Sequence, residues 1–204
     1  MLTVNEDGAE VERRLAAGGL ACPGCGGGLA GWGFARPRLV REEAGRCLVR
    51  PRRARCAGCA ATHVLLPVGM LLRRADAVEV VGEALSAKAG GLGAQPIAAR
   101  LGRPLETVRG WLRRFTANAE LLRQWFIALL VAVAPDPHIP DPAGSPLADA
   151  VTAVKAAGLA IAARFGVCMV TPWRIASAAC QGGLLSPVPP TKWINTSSPW
   201  QAAV

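Results

Sequence analysis

Cys22-Pro23-Gly24-Cys25 and Cys56-Ala57-Gly58-Cys59 are two copies of one device, a C-x-x-C with glycine directly before the second cysteine. Each copy places two thiolates on one tight loop. Together they supply four sulfurs, the closed tetrahedral shell that a structural Zn²⁺ prefers. Small residues follow both loops, Gly26-Gly27-Gly28 and Ala60-Ala61, so backbone N–H groups can turn toward the sulfurs. Thirty residues separate Cys25 from Cys56, room enough for a β-hairpin. The alternatives are a redox dithiol or a disulfide pair. A redox C-x-x-C normally opens a helix that lowers its thiol pKa, and the three glycines after Cys25 do not hold a helix. Cys47 and His63 are the nearest spare ligands. Cys47 is expected to fill the hairpin core and His63 to be an ordinary surface or packing histidine.

Arginine marks the second chemistry. Between residues 34 and 60 there are eight arginines against Glu42 and Glu43. Arg50, Arg52, Arg53 and Arg55 run directly into the second cysteine loop. On a strand, Arg53 and Arg55 share one face, and Arg50 and Arg52 the other. The guanidinium fork matches two phosphate oxygens, so this ridge suits a phosphate backbone; the plainer reading is a charged edge that prevents strand pairing. Single-strand RNA binding calls for stacking aromatics, and only Trp32 and Phe34 stand near the basic segment.

The third pattern is Ala98, Gly102, Val108 and Trp111, the spacing of a helix-turn-helix. A small residue lets two helices cross closely. Gly102 can end the first helix in the left-handed conformation. Val108 and Trp111, three apart, face that first helix. Leu101 and Leu112 complete its small core. Leu105, Glu106, Arg109, Gly110 and Arg113 are then the outward positions that would enter a major groove. Arg109 or Arg113 can pair with guanine and Glu106 can accept from cytosine, while Thr107 and Arg114 suit phosphates. An ordinary helical hairpin is the competing reading.

These residues carry a resemblance. The segments 22–25 and 52–63 resemble the zinc ribbon of insertion-sequence transposases and of bacterial relatives lacking a catalytic domain. Ile97–Gly102 followed by Thr107–Arg114 is similar to the helix-turn-helix those proteins place next. The likeness covers about residues 20 to 116. It implies recognition of a DNA end or operator, with zinc on Cys22, Cys25, Cys56 and Cys59. A full transposase needs three spaced carboxylates to hold two metal ions. Here Glu120 is the last glutamate and only Asp136, Asp141 and Asp149 follow. With His63 and His138 the only histidines, no nucleophile arrangement stands out either. The expectation is therefore not an enzyme.

The totals agree with a polyanionic partner. The 204 residues carry a net charge of +9 and a pI near 10.0, which favours nucleic acid or a membrane surface. Seven cysteines, an odd number, behind a polar, acidic start predict a reducing cytoplasm rather than a disulfide framework. The apolar stretch 125–134 is shorter than a spanning helix requires, so no membrane is expected.

The positioning elements follow from periodicity. The class expected is α+β, mainly α. Residues 1–18 read as a leader with a helical turn, 19–67 as the zinc ribbon, and 68–118 as the helix-turn-helix domain. Residues 119–186 read as a C-terminal helical region and 187–204 as a disordered tail. Within the ribbon, 38–49 is a hairpin whose turn lets Gly45 take positive φ. Helices are expected over 73–88, 96–101, 105–118 and 120–134, then a proline linker. Leu147, Val151, Val154, Gly158, Ile161 and Phe165 form one helix face, either a dimer seam or a face packed within the chain. A last helix starts near Pro172, with Trp173, Leu184 and Leu185 over the same core. Cys168 and Cys180 read as buried thiols.

The function expected is a zinc-dependent protein binding double-stranded DNA, a transcription regulator or non-catalytic transposase-like protein, with a homodimer as one form it can take and no small-molecule substrate. The alternatives are an accessory subunit of a transposase or nuclease, and a zinc-ribbon module that docks to other proteins.

Overall fold

The structure, a computed structural model, describes residues 1–166 and 170–187; Cys168 and the expected tail beyond residue 187 lie outside the described residues. It is α+β. Four strands form one sheet in the order β1-β6-β5-β2: β1 (Leu2–Val4), β2 (Leu29–Phe34), β5 (Arg52–Cys56) and β6 (Thr62–Pro67). A hairpin of β3 (Arg38–Arg41) and β4 (Arg46–Val49) stands as a second, two-stranded sheet. Its cross-strand partners include Leu39 with Leu48 and Val40 with Cys47. The turn closes with the Glu42 N–H on the Gly45 carbonyl at 2.9 Å. Gly45 does not use positive φ, so its freedom is not what shapes the turn. Cys47 is exposed rather than a core thiol, because Val40 supplies the hairpin's buried side chain.

The first residues are part of the fold rather than a detached leader. β1 runs parallel to β6, pairing Leu2 with Leu65. It is buried on both faces, as a parallel strand tends to be. Leu2 and Val4 join a small core with Leu20, Leu29, Ala54 and Leu65. On the other face, the Thr3 hydroxyl donates to the Ala178 carbonyl at 3.2 Å. Helix α1 (Gly8–Ala16) is capped by Asp7, whose carboxylate accepts from the Ala9 N–H. Its Val11 and Leu15, four apart, pack into the same small core.

The helices build a second, larger core. They are α2 (Val78–Ala89), α3 (Ala94–Leu101), α4 (Leu105–Ala117), α5 (Ala119–Val133), α6 (Pro146–Phe165) and α7 (Pro172–Ala179). α2 begins five residues later than periodicity suggests, because the chain at Ala75–Ala77 runs along β3 instead. The Arg41 N–H bonds the Ala75 carbonyl at 2.7 Å and the Ala77 N–H bonds the Arg41 carbonyl at 3.0 Å. α6 has the length and composition of a membrane-crossing helix, but half of it is buried against its own chain. Leu147, Val151, Val154, Gly158 and Ile161 all face inward. That face is covered by α5, α2 and α7 and is not available as a dimer seam. Phe165, at the end of the run, is exposed. Trp173, Leu184 and Leu185 cover this core from α7 onward, and Cys180 is fully buried within it. Burial pushes the Cys180 thiol up to about 12.

One ion cluster joins the two halves. Asp76 is 2% exposed. Its carboxylate accepts from Arg41 Nε at 3.0 Å and Nη2 at 2.6 Å, and from Arg103 Nε at 2.7 Å. Arg103 also donates to the carbonyls of Glu42 at 2.9 Å and Leu101 at 3.1 Å. The hairpin, the chain before α2 and the turn after α3 are thus clamped on one carboxylate. Removing it strands two guanidinium groups, one nearly buried, and breaking such a network costs about 3 kcal/mol. Asp76→Ala should lower the denaturation midpoint accordingly in a urea titration, whereas the exposed Glu83→Ala should leave it within about 0.5 kcal/mol.

Candidate metal centre

The two cysteine loops are the same local structure. In the first, the Gly26 N–H bonds the Cys22 carbonyl at 2.8 Å and the Cys22 N–H bonds the Gly27 carbonyl at 2.8 Å. In the second, Ala60 N–H bonds the Cys56 carbonyl at 3.1 Å and Cys56 N–H bonds the Ala61 carbonyl at 2.9 Å. The residue after each second cysteine is left-handed, Gly26 at φ +74° and Ala60 at φ +59°. The loops are laced together by the Ala57 N–H on the Gly28 carbonyl at 3.0 Å.

This geometry gathers four sulfurs. Cys22, Cys25, Cys56 and Cys59 have their Sγ atoms all within 4.8 Å of one another. Cys22 to Cys59 is 3.8 Å and Cys25 to Cys56 is 3.4 Å. Four sulfurs at about 2.3 Å from one zinc stand about 3.8 Å apart, so the donor set fits that ion. Three details tighten the fit. The N–H groups of Gly58 and Cys59 point at Cys56 Sγ at 3.3 and 3.4 Å. Gly27 lets the loops approach closely: a Cβ there would lie 3.1 Å from Cys56 Sγ and 3.3 Å from the Gly58 nitrogen, so these neighbours would have to give by a few tenths of an ångström. Cys22 and Cys56 are buried in the small core, while Cys25 and Cys59 face solvent. Zinc bound here would be structural: with four protein donors no position is left for a substrate.

Without a cation the four thiols compete for protons. The Cys59 N–H, with help from neighbouring donors, holds Cys56 down at about 6. The Gly27 N–H acts to lower Cys25, but the adjoining sulfurs of Cys56 and Cys59 outweigh it and push Cys25 up to about 11. His63 is not a fifth member of the group. It is nearly buried, with Nε2 3.3 Å from Cys22 Sγ and Nδ1 3.2 Å from the Met1 nitrogen. The ring thus lies between the Met1 nitrogen and the sulfur, an outer contact that orients a ligand. Burial first, then the Met1 charge, lowers the His63 pKa and keeps the ring neutral.

The arginine ridge is less uniform than its sequence. Arg52 is half-buried and tied down at the surface, bonding Glu12 at 2.6 Å and the Gly33 carbonyl at 2.7 Å. Arg53 is half-buried, and Arg50 and Arg55 are exposed. Three of these guanidinium groups stack on rings from the facing strand. Arg50 and Arg52 lie 5.0 and 4.8 Å from the Phe34 ring centre, and Arg55 lies 4.9 Å from that of Trp32. In the sequence the two aromatics only stand near the basic segment; β2–β5 pairing sets them against the arginines.

The segment 94–117 is two helices joined at Gly102, which sits at φ +60°, ψ +39°. Ala98, Val108 and Trp111 are buried between them and the main core. Leu105 and Gly110, expected on the outer face, are turned inward. Leu105 packs against the core, and Gly110 lies under the Arg114 side chain, which bonds its carbonyl at 2.9 Å. Thr107 is half-buried, as is Arg114. The exposed stripe is Glu106, Arg109 and Arg113, with Arg109 donating to Glu106 at 2.6 Å. The signals missed at the sequence level are Asp76 and Arg103, whose ion pairing spans twenty-seven positions.

The chain matches no protein-family model, no curated protein and no solved structure.

Purified protein should carry one zinc per chain by elemental analysis. Cys25→Ser should weaken zinc binding on the order of 100-fold in a chelator competition. Protons compete with the ion for the same sulfurs, so zinc affinity should fall as pH is lowered. In the apo form the two shifted thiols act in opposite windows: the contribution of Cys56, below the usual thiol value of 9.0, is full above pH 9 and lost as pH falls through about 6, whereas that of Cys25, raised to about 11, is full below pH 9 and lost as pH rises through about 11. Stripping the metal should open residues 20–67 to protease before the helical half.

Proposed function

We propose that this chain is a zinc-dependent DNA-binding protein, in which α4 reads a duplex and the ribbon's arginines hold its phosphates. The observation that carries this reading is the exposed stripe Glu106, Arg109 and Arg113 on a helix fixed by the Gly102 turn. Its neighbours on the helix are buried or half-buried, so the stripe is presented by a rigid rod. Arg109 and Arg113 are four apart and share a face. The Glu106–Arg109 ion pair is exposed and worth only about 0.3–0.5 kcal/mol, so a guanine edge can displace it at little cost.

The Asp76 clamp supports the reading a second way. It fixes the turn between α3 and α4 against the ribbon's hairpin, so the basic ribbon and α4 would meet a duplex as one body. The biological roles that fit are a transcription regulator or a transposase-like protein without its own catalytic domain, working in the cytoplasm on the nucleoid. One recognition helix covers a single half-site, so a second copy on the DNA belongs to the proposal.

The test is selection from a random duplex pool, followed by binding of the enriched site. Arg109→Ala and Arg113→Ala should each weaken it by about tenfold or more and relax the sequence preference. Wild-type affinity should fall steeply with salt, because bound phosphates shed counterions. Failure to enrich any sequence, with affinity indifferent to salt, refutes duplex recognition. Metal-dependent cleavage of the selected DNA would instead favour a nuclease or transposase subunit, and capture of a partner protein without DNA a docking module.

A further inference from the structure

Arg74, in the segment between β6 and α2, is a half-buried guanidinium group without an anion. Its Nε is sealed from solvent and finds no hydrogen-bond partner. Among the described residues no carboxylate lies within ion-pair distance of it, because Asp76 is already taken by Arg41 and Arg103. A buried donor left unmatched costs stability, most of all when it is charged. The nearest charge is of the same sign. Arg114 leans back along α4 and bonds the Gly110 carbonyl at 2.9 Å through Nη1. Gly110 makes room for it, since a Cβ there would lie 2.8 Å from that nitrogen. Residues 74–76 run alongside α4: Asp76 is tethered to Arg103 at the turn leading into the helix, and Arg74 feels the charge of Arg114 further along it. Burial first, then that charge, lowers the Arg74 pKa, and no acid acts the other way. Arg114 has no carboxylate partner among the described residues either.

We propose that Arg74 and Arg114 form an oxyanion site whose ligand is a phosphate group. Each guanidinium group presents a planar fork that matches two oxygens of one phosphate, and charge-assisted bonds of this kind are the strong ones. A phosphate held by both forks turns their repulsion into attraction and gives Arg74 the acceptor it lacks. A water molecule supplies an acceptor but no charge, so the repulsion would stand. Only the Nε of Arg74 is sealed, so a ligand reaches the fork through the Nη nitrogens. Arg114 follows the exposed Arg113 by one position, a rotation of about 100° around the helix. The site therefore flanks the stripe of Glu106, Arg109 and Arg113 rather than belonging to it. A duplex read by that stripe carries its backbone along such a flank, where contacts fix register without reading bases. The duplex backbone is thus the source proposed for the phosphate, and free phosphate is the other. That choice, unlike the site itself, rests on duplex recognition by α4.

The experiment uses the full zinc-loaded chain, with inorganic phosphate as the probe and sodium chloride at matched ionic strength as the control. We expect millimolar phosphate to raise the thermal denaturation midpoint above its value in chloride. Arg74→Met should raise the midpoint in chloride, because it removes an unpaired charge, and should abolish the response to phosphate. A merely structural arginine predicts the reverse, a lower midpoint in both salts. Arg114→Gln should weaken the apparent phosphate affinity by about tenfold. Zinc stoichiometry and far-ultraviolet circular dichroism establish that the variants are folded; should Arg74→Met fail to fold, Arg74→Gln replaces it. On the duplex selected for α4, Arg74→Met should reduce the slope of log Kd against log salt by about one and leave the sequence preference unchanged. A phosphate response with an unchanged duplex slope keeps the site and overturns the duplex as its source. Should no duplex be selected, the phosphate arm decides alone, so the two readings fail separately. Phosphate acting no differently from chloride on the wild type, or acting equally on wild type and Arg74→Met, overturns the proposal.

Discussion

Four sulfurs within 4.8 Å of one another are the constraint on which the N-terminal half depends. As thiolates they repel; as thiols they must divide protons unevenly, which is why Cys56 and Cys25 are driven in opposite directions. A single divalent cation held by all four would resolve the conflict and tie the two loops together. The surrounding core is small: Leu2, Val4, Val11, Leu15, Leu20, Leu29, Ala54 and Leu65 beside the two buried cysteines. An apolar core of that size gives little stability by itself. The metal site and the apolar core are therefore one unit, since Cys22 and Cys56 belong to both.

Rigidity then passes from the ribbon to the helices through charge rather than through apolar packing alone. Asp76 holds Arg41 on the hairpin and Arg103 at the end of α3. A buried ion network of this kind adds less net stability than well-packed apolar groups would. What it supplies is a defined angle between elements, because each guanidinium bond has its own direction. Val40 and Leu66 extend the larger core toward the ribbon, and Arg174 on α7 reaches Glu6 and Glu79. The two halves thus share polar and apolar ties along one seam.

The two basic surfaces differ in character, and their neighbours decide how. On α4, Arg109 and Arg113 project from a helix whose other sides are buried, which presents a narrow rod. On the ribbon, arginines lie flat on aromatic rings, a cation–π arrangement that fixes guanidinium planes while leaving their charge unmatched.

Local chemistry made much of this legible in the sequence. Paired C-x-x-C loops, glycine at the end of α3, and apolar spacing along α2 to α6 each depend on near neighbours in the chain, so residue order alone determined them. The four metal-site cysteines belong here as well, because matched loops announce a shared ligand. Long-range pairing was left to the tertiary structure. β1 reads as a polar leader until β6 lies beside it. Asp76 is an ordinary acid until Arg41 and Arg103 converge on it. Trp32 and Phe34 are bystanders until a bulged strand turns them toward the arginines, and the apolar face of α6 could equally have met another chain. In each case the deciding partner lies tens of residues away, and the sequence records its presence but not its direction.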